Sequence, residues 1–417
     1  MHDEYSSLVS AVRQRNFHRR SARWLLPRWL LLALLTGLLA SVVSSFASSS
    51  WALSVAATPS LPSTPTDQPF SLPAGAGGLR DLTAAQFTAH EWAAAKKTLR
   101  ALLAVAPDDA AAHLWLGMLL APVEPESAAQ HLLRAEVDPG LAGQARRVLD
   151  ALQDGSRGRA ESLTGLGIAL VGAGEWALAQ RALQMALDWN EANPAALAYL
   201  GYALDQQGGD GLPSLERARA MAPTDPQVNY LLGLHWRLAG DHDAACAAFL
   251  RAYWAAPDNP ALAAELGLSL RERGDLAQAE QWLRIAVKLE PDQSQWTELL
   301  GAFYAETGFG LENDGLAFLQ AAREHAPDNA SIRASLGWAL YRLGQIERAH
   351  EELSAAVALA PADPRGRYYF GMVLERLGDG EGALDAYRFV VEHARPDSLY
   401  AVLAARGLAR LGAPGPG

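Results

Sequence analysis

The sequence predicts an all-α protein: an α-solenoid of helix-turn-helix repeats preceded by one N-terminal membrane segment. Half of its 417 residues are hydrophobic and β-branched residues are sparse, which favours helices over sheets. A Leu-Gly pair returns about every 34 residues, and an uncharged apolar run follows a cluster of arginines. A chain of this length exceeds one ordinary hydrophobic core, so we expect it to grow by repetition.

Residues 1–28 form a basic segment that we predict to be cytoplasmic. Six arginines stand there against two acids, Asp3 and Glu4, which gives a net charge of +4. No charged residue follows until Asp67, and the interval opens with the apolar run 29–43. Positive flanks stay cytoplasmic, so everything after this run is predicted to be translocated.

Residues 29–51 are interpreted as a transmembrane signal anchor or a signal peptide, and both interpretations stay open. The 15 strongly apolar residues 29–43 lie at the upper edge of a signal-peptide core and below a usual membrane span. A helix from Trp29 to Trp51 would reach roughly 33 Å with Trp at both interfaces, which favours a retained anchor. The predicted location is therefore a single-pass membrane protein, and the alternative is secretion after cleavage.

Residues 52–78 are predicted to be a Pro/Ser/Thr-rich linker. Five prolines lie there among Ser, Thr, Ala and Gly, so no core can form. Such a stretch is a semi-extended spacer that would lift the following helices off a bilayer.

Residues 160–399 contain seven units in phase. Each unit has a glycine after Leu or Phe, a second glycine seven residues later, and in most units a proline ten residues before the first glycine. The first glycine is expected to let two helices approach closely, and the second to end a helix in the left-handed conformation. The first glycines are Gly167, Gly201, Gly233, Gly267, Gly301, Gly337 and Gly371, and the second are Gly174, Gly208, Gly240, Gly274, Gly308, Gly344 and Gly378.

This pattern resembles the tetratricopeptide repeat (TPR) family, of a bacterial membrane-anchored or exported type. The resemblance implies a right-handed α-solenoid. Residues 79–159 carry the register more faintly, with Pro107 and Gly117 again ten apart, and are interpreted as degenerate repeat-like helices. Residues 400–412 are predicted to be a capping helix, because each repeat buries its apolar face only against the next, and 413–417 a tail. Two units differ in length by two residues, and we expect both changes to fall in turns.

Composition and motifs argue against chemistry and nucleic-acid binding. Beyond residue 43 the chain has 29 basic and 44 acidic residues, a net charge of −15 that would repel phosphate backbones. Cys246 is the single cysteine, so no disulfide framework or Cys-rich zinc site is expected. No phosphate loop or nucleophile elbow occurs. The protein is predicted not to be an enzyme and to need no cofactor or metal.

The resemblance implies a concave groove, lined by the first helix of each repeat, that binds a peptide or protein segment. Aromatic and arginine side chains on one surface are usual anchors of such recognition. The predicted site residues are Tyr202, Tyr230, Leu234, Arg237, Leu268, Arg271, Trp338, Tyr341, Arg342, Tyr368, Met372 and Arg376. The predicted function is a protein-protein interaction scaffold at the extracytoplasmic membrane surface.

Two other functions stay open from the sequence. An aromatic-lined groove also suits cell-wall glycan or another polysaccharide, in which case binding would depend on the aromatic residues alone. A self-assembling structural array would show a concentration-dependent mass and no heterologous partner.

Overall fold

The computed structural model describes residues 76–153, 158–396 and 398–412, and within these ranges the chain forms 20 α-helices and no strand. The predicted segments 1–28 and 29–51, most of 52–78 and the tail 413–417 lie outside the described residues. None of the described helices is long and apolar enough to cross a membrane. The first helix begins at Ala76, so the last three residues of the predicted linker are helical, which corrects its boundary.

The helices follow one another along the chain in nine pairs, with two unpaired helices, α5 after the second pair and α20 at the end. In chain order α1 to α20 span Ala76–Thr88, Trp92–Val105, Ala110–Leu120, Pro125–Ala135, Ala142–Gln153, Arg159–Gly172, Trp176–Trp189, Pro194–Gln206, Leu212–Met221, Pro226–Leu238, His242–Ala255, Pro260–Arg273, Leu276–Leu289, Ser294–Thr307, Leu316–His325, Ala330–Arg342, Ile346–Leu359, Pro364–Leu377, Gly380–His393 and Leu399–Arg410. Each helix packs on its neighbours in sequence, and several first helices also contact the next first helix, as α8 and α10 do. This stacking makes a helical solenoid.

The first glycine of each unit lies where two helices cross. A Cβ atom added to Gly167 would stand 2.5 Å from the Leu183 side chain, and one added to Gly233 would stand 2.6 Å from the ring of Phe249. Carbon atoms do not approach so closely, so only glycine fits at these crossings. The interpretation of the first glycine as a close-approach residue is confirmed.

The second glycine of each unit ends the first helix. All seven predicted positions have φ between +74° and +91°, the left-handed region that glycine adopts without a Cβ penalty. In the first helix pair His90 takes the same place with φ of 59°, the one non-glycine residue with positive φ among the described residues. The sequence His90-Glu91-Trp92 repeats Gly174-Glu175-Trp176 with histidine in the glycine position.

Asparagine and aspartate start most of the first helices. The side chains of Asn193, Asp225, Asn259, Asn329 and Asp363 each accept a hydrogen bond from a backbone N–H of the following turn. In four of these helices a proline follows at the first helical position, where its missing N–H costs nothing. The start of each of these first helices therefore has a local chemical cause.

The two length changes do not stay within turns, which corrects that expectation. Helix α9 has 10 residues, whereas the second helices on either side of it, α7 and α11, have 14. The two-residue insertion instead appears as a π-helical turn, Leu311–Gly315, directly before α15. Both changes therefore alter the start of a second helix.

Helix α20 covers the end of the solenoid. Its Gly407 packs on one part of the Tyr387 ring and Gly371 of α18 on another, since a Cβ at either position would lie 2.6 Å from that ring. Together with Leu374, Val390 and Leu408, the ring forms a small separate core under α20. The last repeat is thereby closed against solvent.

Candidate functional site

The first helices α16, α18 and α20 carry a group of aromatic side chains at the C-terminal end of the solenoid. Gly337 fixes the face of α16 that meets α17, because a Cβ there would lie 2.5 Å from the Leu353 side chain. Trp338 and Tyr341 lie on other faces of α16 and are half-buried. On α18, Tyr369 lies two residues before Gly371, the glycine at which α18 crosses α19.

These rings form a continuous stack. Trp338 lies nearly parallel to Tyr341, with centroids 5.0 Å apart, and nearly parallel to Tyr369, at 4.4 Å. The hydroxyl of Tyr369 hydrogen-bonds that of Tyr400 at 3.2 Å. The stack joins α16 to α18, and the hydrogen bond extends the connection to α20, while the ring of Tyr341 is packed against Trp338.

A pocket of about 330 Å³ opens beside this stack. Its lining is Tyr341, Met372, Glu375, Arg376 and Arg410, which we call the C-terminal pocket. The residues come from α16, α18 and α20, so packing of the capping helix is required to build it.

An ion pair forms one wall of the C-terminal pocket. The Arg410 guanidinium donates from Nε to Glu375 Oε1 at 2.8 Å and from Nη2 to Oε2 at 2.6 Å, and the Tyr387 hydroxyl donates to the same carboxylate at 3.0 Å. The hydrogen bond from Arg410 holds the pKa of Glu375 below its usual value, with Tyr387 adding to the effect. Glu375 is therefore an anion at neutral pH.

Two other groups of the pocket lack a partner within the described part of the chain. Arg376 is exposed and makes no hydrogen bond or ion pair with another described residue. The Tyr341 hydroxyl likewise has no hydrogen-bond partner there. The pocket thus combines apolar side chains with two donor groups, the Arg376 guanidinium and the Tyr341 hydroxyl, that no described residue pairs with.

Of the twelve predicted residues, Tyr341, Met372 and Arg376 line this pocket, and Trp338 supports it through the stack. Tyr368 is half-buried against Tyr387 and Tyr400, at centroid distances of 5.8 and 5.9 Å.

Four predicted residues are buried in the interior, which corrects their assignment to an open groove surface. Tyr202, Tyr230, Leu268 and Arg237 are each at most 8 % exposed. The two rings and the leucine fill the space between neighbouring helices, and burial raises the pKa of both tyrosines. The Arg237 guanidinium is paired with Glu265, itself 1 % exposed, so its charge is neutralised inside the protein.

The remaining three predicted residues make contacts within the protein itself. Leu234 packs on the core with part of its surface exposed. Arg271 pairs with Glu272 at 2.8 Å and approaches Glu306 at 3.6 Å. Arg342 donates to backbone carbonyls at the C-terminal end of α14, including that of Ala305 at 3.0 Å, where a cation meets the negative end of the helix dipole.

Arg410 lines the pocket but was not among the predicted site residues. The sequence holds a usable signal for it: Gly407 continues the series of first-helix glycines, so Arg410 falls at nearly the same place in α20 as Glu375 does in α18.

The described residues contain no group of three or more His, Cys, Asp or Glu side chains able to hold a metal ion. Burial raises the pKa of the Cys246 thiol to about 11, which keeps it protonated at neutral pH.

Helix pairs in phase and close-approach glycines define a protein built of α-helical repeats. Two family models, both described as tetratricopeptide repeat, match residues 313–368 and residues 85–145 and 209–260. Residues 85–145, 209–260 and 313–368 are therefore tetratricopeptide repeats.

Solved structures similar to this chain include proteins described as tetratricopeptide repeat proteins. A thermophilic TPR protein of Thermus thermophilus is 25% identical over 44% of this chain and 99% of its own, with a TM-score of 0.38. A tetratricopeptide repeat protein from Parabacteroides merdae is 14% identical over 60% of this chain and 98% of its own, with a TM-score of 0.49. MamA from Desulfovibrio magneticus is 21% identical over 40% of this chain and 93% of its own, with a TM-score of 0.34. No curated protein matches the chain.

Proposed function

We propose that this protein is an interaction scaffold that holds a peptide segment of a partner protein in the C-terminal pocket. The observation that carries the proposal is the pocket itself, where an ordered ring, a flexible thioether and unpaired donors meet in one concavity. Tyr341 is pre-oriented by the stack, so little side-chain entropy is lost when a ligand contacts it. Preorganised aromatic anchors of this kind dominate binding energy in peptide recognition.

The stack argues against polysaccharide as the ligand. A sugar ring packs on an open aromatic face, whereas Trp338 already lies against two parallel tyrosine rings. Met372 and Arg376 are instead suited to the side chains and backbone of a peptide.

Replacing Tyr341 with Ala is expected to weaken peptide binding about thirtyfold, or ~2 kcal/mol, because it removes the pocket's ordered anchor. The ligand is the tightest binder selected from a random peptide library on the full-length chain in detergent, and affinity is measured by fluorescence anisotropy. Glu347→Ala, at an exposed site in the first turn of α17, is the control and should leave affinity unchanged. Equal affinities for wild type and Tyr341→Ala, with intact helicity and melting, would place the site elsewhere.

We also propose that residues 29–51 anchor the chain in a membrane, with the N-terminus cytoplasmic and the repeats outside. The support is the arginine cluster that precedes the apolar run. Protease added to intact protoplasts should digest the repeats while a cytoplasmic marker survives. Repeats that survive until lysis would reverse the topology, and repeats recovered in the medium would indicate cleavage.

A further inference from the structure

We propose that the C-terminal pocket recognises a carboxylate side chain, Asp or Glu, of the bound peptide. The proposal rests on the function proposed above, since it names the chemistry of the segment held there. It follows from the donors that the pocket presents and from the charge around them.

The unpaired groups of the pocket are donors. Arg376 carries five N–H groups and no acceptor, and no described residue accepts from it. The Tyr341 hydroxyl, also without a partner in the described ranges, can donate to the same ligand group. A guanidinium matches the two oxygens of a carboxylate in a forked geometry that a neutral amide cannot reproduce as strongly.

The pocket already contains one carboxylate bound in this way. Glu375 receives both hydrogen bonds of the Arg410 fork at 2.6 and 2.8 Å. Arg410 is occupied by Glu375. The position open to a second carboxylate is therefore at Arg376, which follows Glu375 in α18. The Glu375 carboxylate repels other anions, so it limits how many acidic residues of a ligand the pocket can accept.

The local charge is positive although the protein is acidic. Arg406 lies one turn before Arg410 on the same face of α20, is exposed and has no ionic partner among the described residues. Within the lining itself two guanidiniums, those of Arg376 and Arg410, stand against the one carboxylate of Glu375, on a chain of formal net charge −11. This field attracts an anionic segment and repels a basic one.

The apolar side of the pocket determines which residue of the peptide can lie next to its acidic residue. Met372 and Tyr341 border the pocket, and a thioether next to an aromatic ring accommodates side chains of varied shape. The expected ligand is a peptide with an acidic residue adjacent to a large apolar one.

The test selects 12-residue peptides from a random phage library on the full-length chain in detergent. Selected sequences should be enriched in Asp or Glu beside an apolar residue, and the best peptide should bind Arg376→Glu about tenfold more weakly, or worse. Arg376→Gln, which cannot create repulsion, should show a smaller loss of the same sign. Glu375→Gln should bind the peptide a few-fold more tightly because Arg410 becomes available to it.

The matched control is Arg388→Glu, which makes the same change of charge on α19 outside the pocket and should bind like wild type. Thermal melts confirm that each variant is folded. Peptides without acidic enrichment, or an affinity that Arg376→Glu and Arg376→Gln leave unchanged while Tyr341→Ala lowers it, would overturn the carboxylate proposal and leave the proposed function standing. Failure to select any peptide, or indifference to all pocket variants, would overturn both.

Discussion

Replacing Gly211 with Ala is expected to destabilise the solenoid by about 3 kcal/mol or more, the largest effect of any single methyl group that we predict. Gly211 ends the loop that precedes the shortened helix α9. A Cβ atom there would lie 2.0 Å from the carbonyl oxygen of Gly201. The obstacle is backbone, so no side-chain rotation relieves the clash.

The same position is tied to a buried polar network. The Gly211 N–H donates to Asp205 Oδ1 at 2.9 Å, and Asp205 Oδ2 meets His235 Nδ1 of α10 at 2.8 Å. An added Cβ would stand 2.6 Å from Asp205 Oδ1 as well. Moving the loop to relieve the clash would leave the buried Asp205 carboxylate poorly satisfied, which adds to the cost.

Urea unfolding followed by circular dichroism measures the effect. Gly165→Ala is the matched control, because that glycine lies inside α6 with no atom near its missing Cβ, and alanine there should be neutral or stabilising by up to about 1 kcal/mol. If both variants unfold at the wild-type midpoint, the close approach at Gly211 does not constrain the fold.

The succession of helix pairs could be predicted from the sequence because the residues that end and cross the helices are determined by local chemistry. Each turn glycine is required by its own φ value, and each crossing glycine by one neighbour at a fixed separation along the chain. Periodicity of about 34 residues therefore identified both sets. His90 was harder to recognise, since a histidine replaces glycine at a left-handed position that only the flanking Glu-Trp identifies.

The site could be predicted only in part because the position of a residue within its repeat does not determine how exposed its side chain is. Tyr202 and Trp338 occupy the same place after their crossing glycines, yet Tyr202 is buried and Trp338 is half-exposed. Their neighbours differ: Tyr202 meets the edge of the Trp176 ring of α7 at 5.9 Å, whereas Trp338 stacks on Tyr341 and Tyr369. Partners distant in sequence, such as Glu265 for Arg237, decide whether a charge is available to a ligand.

Replacing Glu175 with Gln is expected to stabilise the protein at pH 8 and to have little effect near pH 4.5. Glu175 precedes α7, and burial raises the pKa of its carboxyl from 4.5 to about 7, although a hydrogen bond with the Trp115 side chain opposes the shift. The folded chain therefore favours the neutral acid at a position where solvent would favour the anion.

The sign of the pH dependence follows from this raised pKa. Below about pH 4.5 both folded and unfolded chains hold the proton, so no penalty exists. Between that value and about pH 7 the unfolded chain has released a proton that the folded chain retains, so stability falls as the pH rises, by up to about 1.4 kcal/mol per unit. Above pH 7 the penalty is constant at no more than about 3 to 4 kcal/mol. Gln carries no charge at any pH and still offers an oxygen to Trp115.

Melting temperatures of wild type and Glu175→Gln, measured from pH 4.5 to pH 8.5, test this directly. The two curves should coincide at the acidic end and separate by several degrees at the alkaline end, with Glu175→Gln the more stable. Glu347→Gln removes an acid from an exposed site in the first turn of α17 and controls for the change in net charge. A constant difference at every pH would show that Glu175 acts through packing alone. Coincident curves throughout would mean that its carboxyl ionises in the folded protein without cost.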